Sequence, residues 1–507
     1  MIFSFSLRKK EMLLTVFSNL ALQVVTALCG FVLPPLVIET FGSSANGMVS
    51  SISQFIAYLN IVEAGIGGAS IAALYKPLAL KNTTERNAIL SATRRFYNRS
   101  GLLFTILVFV LAFFYPLIVG GQVDKTQSAL MVLVLGITGA AEFFLIGKYR
   151  VLLTAAKKLY VISLVQMIAL VVSTVLSVIL IRAQVGIVFV KLASALVYLG
   201  RYIFLAMYIR RNYGDVDFYA NPNIKAISQS KNVFVHQIGG LVVFNSPLII
   251  ITAFCSLKDA SVYTVYAMVF NAVNQLLGSF SNGMQSFFGE SLVTDSIERT
   301  RAIFSRYETL FFVVGGWFYS MSYLLIMPFM RLYTVKMTDA EYLQPLLALL
   351  FLTVGILNNI RNPASQLINA AGHFKRTQWR SIAEAGVNII CSISGVLMFG
   401  FKGVLLGAIC SGLYRGIDII LYTGRNILNS FLSCLLSFTK ILVVFLMFGL
   451  FCRLLLFVAP EPFCYSQWVL LASVYGVVLG LTIFLILFFL KLLKIQEKRE
   501  FQYESKN

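Results

Sequence analysis

Lys191, Arg201, Arg361 and Arg415 each fall inside a long apolar run. A cation in lipid costs ~2.5 kcal/mol or more unless it faces protein or water. Arg361 stands in Asn358-Asn359-Ile360-Arg361-Asn362-Pro363. Proline removes a backbone donor and disrupts the preceding turn, so a locally opened helix with free carbonyls, amides and one cation is expected. Such a place suits an anion or a sugar; otherwise it is a kink whose arginine pairs with a carboxylate such as Glu63 or Glu384. Arg201 and Arg415 either line a cationic lumen or are neutralised. Arg415 has Asp418 at i+3 for that, and Arg201 can snorkel towards the membrane surface.

Asn271, Asn274, Gln275, Asn282 and Gln285 recur in steps that bring them near one helical face. With Asn358 they are neutral, bidentate hydrogen-bonding groups. They fit hydroxyl-rich ligands, or they hold helices together. Glu63, Glu142 and Glu384 are carboxylates within apolar runs. Each either carries a coupling ion, H+ or Na+, or pairs with a buried arginine. No GxxxxGK[ST] loop, HExxH or GxSxG is present, so ATP does not drive the chain directly and no enzyme is indicated. No cofactor is expected.

These residues must be positioned by helices in a bilayer. The sequence is 58% hydrophobic and only 12% charged, against about 25% charged in ordinary soluble domains. Backbone groups cannot stay unsatisfied in lipid, so runs of about 20 apolar residues should be helices. Fourteen spans are expected, near 12–36, 48–75, 100–120, 128–147, 159–181, 184–209, 233–255, 261–289, 308–330, 343–371, 380–400, 403–424, 435–457 and 467–490. The first run is too long for a signal peptide and should remain as the first helix. Loops then alternate in Lys and Arg, thirty on one side against seven on the other. That bias puts both termini in the cytoplasm. The formal charge of +20 is thereby read as topology, and no nucleic-acid partner is expected. Seven cysteines show no metal-like spacing; Cys452 and Cys464 flank one outer loop, where they could pair.

The segment Leu199-Gly200-Arg201-Tyr202-Ile203 matches Leu413-Tyr414-Arg415-Gly416-Ile417 at an offset of 214, and Leu152–Ala156 resembles Leu367–Ala371. Six helices separate the copies, an even number, so the repeat is parallel. The expected fold is an all-α polytopic membrane protein. Residues 1–215 form an N-terminal six-helix lobe, 216–232 a cytoplasmic linker and 233–428 a C-terminal six-helix lobe. Residues 429–507 carry two more helices and a basic tail. Transporters of this build bind substrate near the midplane and rock around it. Glycine pairs at Gly403/Gly407, Gly412/Gly416 and Gly476/Gly480 predict close helix packing.

Four stretches carry a family likeness: Glu63-Ala64-Gly65-Ile66-Gly67 with Leu74-Tyr75-Lys76-Pro77-Leu78; Tyr149-Arg150-Val151-Leu152-Leu153 with Lys157, Lys158 and Tyr160; Val262-Tyr263-Thr264-Val265-Tyr266 with Gly283-Met284-Gln285 through Glu290; and Asn369-Ala370-Ala371-Gly372. They resemble the Wzx-type polysaccharide flippases of the MATE-like exporter superfamily. The resemblance implies an undecaprenyl-diphosphate-linked oligosaccharide, an O-antigen, capsule or exopolysaccharide repeat unit, flipped to the outer leaflet of a bacterial inner membrane. It implies membrane lipids, a polysaccharide polymerase and chain-length machinery as partners. Lys191, Arg201, Arg361 and Arg415 would meet the diphosphate, and the amides the sugars. Relatives often carry an acidic residue in helix 7 where this chain reads Asn245-Ser246-Pro247, which leaves carboxylate coupling there without its residue. The rival readings are an ion-coupled MATE-like antiporter, which needs an acidic lumen, and a peptidoglycan lipid-precursor flippase. A glycan-polymerising enzyme would need a larger outer loop than residues 459–467.

Overall fold

The computed structural model describes residues 2–63, 66–227, 245–282, 284–456 and 462–504. The described residues are 88% helical, with no strand among them. The helices are α1 (Ile2–Phe41), α2 (Ser43–Leu59), α3 (Ile66–Ala79), α4 (Thr83–Ile118), α5 (Lys125–Ala141), α6 (Gly147–Ala155), α7 (Leu159–Arg182) and α8 (Ile187–Asn212). They continue as α9 (Asn245–Phe254), α10 (Leu257–Asn282), α11 (Met284–Thr294), α12 (Ile297–Tyr333) and α13 (Pro345–Ala370). Last come α14 (Phe374–Phe399), α15 (Val404–Asn426), α16 (Phe431–Leu456) and α17 (Tyr465–Glu504).

Each expected span falls on a helix or a helix pair. Of the seventh, only the part from Asn245 is described; His236 and the linker beyond Ile227 lie outside the described residues. Ten described helices are long and apolar enough to cross a membrane, or eleven if α2 and α3 form one bent span. The count falls short of fourteen where α14 and α15 join through a 3-10 turn at Gly400–Gly403, where α9 is described only in part, and where α10 carries its amides.

Local chemistry sets the ends. Asn82 caps α4 by accepting from the Glu85 amide at 3.1 Å, and its own amide donates to the Glu85 carboxylate. Asp124 accepts from the Gln127 amide at 2.8 Å at the start of α5. Both satisfy N-terminal donors that the helix cannot. Pro345 opens α13, where its missing N–H costs nothing.

Two compact units divide the chain: Met1–Val265 with Val396–Val404, and Tyr266–Gly395 with Leu405–Asn507. In the first, α1 packs on α7, α7 on α8, and α4 on α5, around a core that includes Met48, Tyr97, Phe104 and Phe143. In the second, α12 is the hub on which α13, α16 and α17 pack. Phe109, Phe113 and Leu117 of α4 lie outward and exposed, as a lipid-facing stripe should.

Two expectations need correction, and a third holds in part. Pro363 does not open α13, which runs as one helix through it. Proline removes the donor to the Asn359 carbonyl, and transmembrane helices tolerate that loss in a packed setting. Cys452 and Cys464 are both free thiols. Cys452 is buried inside α16 with its sulfur towards the Ser320 carbonyl, whereas Cys464 is exposed beside Ser466. Of the glycine pairs, Gly407 is pressed onto α14, where a Cβ would meet Ser392 Oγ at 2.0 Å. Gly416 and Gly480 face open space.

Candidate functional site: two buried charge networks

In the first unit Glu63 closes the 3-10 turn Asn60–Glu63 after α2. Glu142 starts a single π-helical turn, Glu142–Ile146, between α5 and α6; such turns recur at functional positions. Arg150 on α6 binds Glu63 directly and holds Glu142 at 3.0 Å. Arg201 on α8 approaches the other Glu142 oxygen at 4.0 Å. The Tyr97 hydroxyl donates to Glu63 at 2.6 Å. Tyr97 reaches it because Gly147 offers no side chain; a Cβ there would lie 2.2 Å from the ring. Two arginines and two glutamates thus form a network of zero net charge. The Arg201 Nε, itself buried, has no hydrogen-bond partner.

In the second unit α13, α14 and α15 supply five charges. Arg361 on α13 binds Glu384 on α14, whose second oxygen lies 3.4 Å from Arg415 Nε on α15. Arg415 also pairs with Asp418 at 3.1 Å, and Asp418 with Arg380. Arg415 and Glu384 are both buried. Among the described residues three guanidinium groups therefore share two carboxylates, a balance of +1. Beside this network Asn359 turns away towards α12. Gly315 gives it room, and neither amide atom has a partner.

The sequence-derived candidates therefore separate. Arg361, Arg415 and Glu384 come together, with Arg361 meeting one of the two carboxylates foreseen for it. Arg201, Glu63 and Glu142 come together in the other unit. Lys191 joins neither: it is half-buried one turn inside the start of α8, without an ion pair among the described residues. Asn271 and Gln275 are exposed one turn apart on α10, while Asn274 accepts from the Tyr319 hydroxyl at 2.8 Å. Asn274 thus joins helices and the other two leave an open polar face. Gln285 is exposed on α11, Asn358 is half-buried on α13, and the Asn282 side chain lies outside the described residues.

Sequence reasoning missed Arg150, Arg380 and Lys440 because each was counted as a loop charge. Lys440 on α16 is buried against Glu308 of α12 at 2.9 Å and also reaches Ser305. The Ser437 hydroxyl donates to the other Glu308 oxygen at 2.6 Å. The signal available was the unexplained acid, Glu308, within an apolar run.

No family model matches this sequence, and no curated protein does. Solved structures match through their folds. The lipid II flippase MurJ, in an inward closed conformation, aligns over 94% of this chain and 100% of its own, with a TM-score of 0.63 and 16% identity. An inward-facing multidrug resistance MATE family transporter of the MOP superfamily aligns over 85% of this chain and 98% of its own, at 0.58 and 12%. The eukaryotic MATE transporter AtDTX14 aligns over 86% and 97%, at 0.52 and 15%. This chain is a multi-pass helical membrane protein with the fold shared by MATE transporters and the lipid II flippase MurJ.

Proposed function

We propose that the protein flips an undecaprenyl-diphosphate-linked oligosaccharide, a repeat unit of O-antigen, capsule or exopolysaccharide, to the outer leaflet of a bacterial inner membrane. One observation carries the reading: the network of Arg361, Arg415 and Arg380 holds one more cation than carboxylates. Arg361 and Arg415 of this set are the poorly exposed members, and surplus positive charge there is offset by an anionic substrate group. A diphosphate competes with Glu384 and Asp418 for planar guanidinium forks, which bind phosphate and carboxylate alike. The exposed amides of Asn271, Gln275 and Gln285 are suited to sugar hydroxyls, as is Asn358. The two lobes alternate in access, and the basic loops face the cytoplasm. An inside-negative potential favours outward movement of negative charge by ~2.3 kcal/mol per charge per 100 mV. Export therefore does not require an antiported ion.

The fold likeness to MATE transporters keeps a small-molecule antiporter as the competing reading; an exporter of cations would want an acidic excess instead. The test is reconstitution in liposomes with a polyprenyl-diphosphate oligosaccharide, following its exposure to an external glycan-modifying enzyme. Protein-dependent transfer that fails with Arg361→Ala supports both function and site. Transfer untouched by that change removes the site, and no transfer by folded wild-type protein with several lipid-linked glycans favours the antiporter.

A further inference from the structure

Beyond Asn212 at the end of α8, residues 213–227 fold back as a strap across the first unit. Arg86, buried on α4, binds the Asp215 carboxylate at 3.1 Å and its carbonyl at 2.9 Å. The Asn87 amide donates to the same carbonyl at 3.0 Å. Further along, the Asn223 amide donates to the Ala88 carbonyl at 3.1 Å. Between these two anchors the strap presents Phe218 and Tyr219.

Two cations meet those rings. The Arg94 guanidinium lies 3.7 Å from the centre of the Tyr219 ring. The Lys148 ammonium lies 5.6 Å from that of Phe218 and 5.0 Å from that of Tyr149. Tyr149 in turn stacks on Tyr202 and meets Phe218 edge-on. Among the described residues neither cation has a carboxylate within ion-pair distance, whereas Arg86, Arg150, Arg201, Arg361, Arg415 and Lys440 all do. A cation without a counter-ion keeps its donors for an anion. Aromatic faces orient such cations and leave their donors for an acceptor. Tyr219 is 76% exposed, so its outer face is open to a ring stacked on it.

We propose that Arg94 and Lys148, with the rings of Tyr149, Phe218 and Tyr219, form a docking site for a phosphate-bearing headgroup on the basic-loop side of the first unit. It is separate from the Arg361 network and does not depend on the flippase reading. The phosphate comes either from an anionic lipid of the adjoining leaflet or from a lipid-linked diphosphate.

The readout is hydrogen exchange of residues 213–227, which is local to this site, in phosphatidylcholine nanodiscs with and without inorganic pyrophosphate. Pyrophosphate should slow strap exchange in the wild type. The apparent affinity should fall about tenfold for each cation removed in Arg94→Gln and Lys148→Gln. The charge-preserving pair Arg94→Lys and Lys148→Arg should keep the protection, which separates lost binding from a detached strap. Absence of slowing in the wild type at saturating pyrophosphate overturns the proposal. So does equal slowing in the doubly neutralised variant. In nanodiscs containing phosphatidylglycerol, protection already complete before pyrophosphate assigns the site to leaflet lipid. Protection that still requires pyrophosphate assigns it to a diphosphate. No step of this assay measures transport, so its failure leaves the flippase test standing.

Discussion

In the first unit two arginines meet two glutamates, whereas in the second three arginines meet two carboxylates. Both networks set an arginine of the repeated segment, Arg201 or Arg415, against a glutamate. The contacts differ in quality. Arg201 stands 4.0 Å from Glu142 with its Nε unpartnered, while Arg415 engages Glu384 and Asp418 together. The first network is balanced and partly accessible through Arg150, whose side chain is 35% exposed. The second is buried at Glu384 and Arg415, is as open at Arg380, whose side chain is 39% exposed, and carries the surplus charge among the described residues. A repeat that conserves position has therefore not conserved charge, and only the second copy is electrostatically prepared for an anion.

The largest test of that contrast is Glu384→Gln. It leaves Arg361 and Arg415 facing each other in a buried place, at a cost of about 3–5 kcal/mol. Thermal unfolding in detergent reads it. Glu142→Gln should cost less, about 1–2 kcal/mol, because Arg150 keeps Glu63. Equal losses would erase the distinction. Next, Arg415→Gln brings the second network to zero charge and should slow glycolipid transfer about tenfold. The repeat-related Arg201→Gln should change it far less, and matched losses in the liposome assay would make the two arginines equivalent. Tyr97→Phe removes one hydrogen bond to Glu63 and should cost about 1 kcal/mol, again by thermal unfolding.

The smallest effect concerns His373, in the turn between α13 and α14, whose Nδ1 lies 3.0 Å from the Tyr422 hydroxyl. Burial, followed by the Arg376 charge, lowers its pKa from the ordinary 6.5. The folded state therefore favours the neutral ring. Its contribution is intact above about pH 6.5 and is lost as pH falls through the lowered folded value. A melting temperature that declines slightly on acidification in the wild type, and less in His373→Gln, is the expected result. An identical decline in both would assign the effect to other groups.

The spans were legible because lipid admits little besides long apolar helices. The Arg361–Glu384 pair was legible as one of two options, because a lone cation at such a depth demands a partner. Arg150 and Arg380 were not, since a few residues of uncertainty at a span's end move a charge from loop to interior. Lys440 was hidden for the same reason. The strap escaped notice because its contacts, one ion pair and several rings over cations, follow no period. Pro363 misled for a different reason: its sequence signals a break, but α13 runs whole through it.

The Lys440–Glu308 pair has a consequence for biogenesis. Its partners lie 132 residues apart on α12 and α16. Until α16 is synthesised, the acid at the start of the span 308–330 in α12 lacks its counter-charge. Lateral release of α12 from the insertion machinery is thus disfavoured until α16 emerges beside it. The final helices then act as late ratification of a segment made much earlier, and a truncation before Lys440 would leave α12 without a stable place in the bilayer.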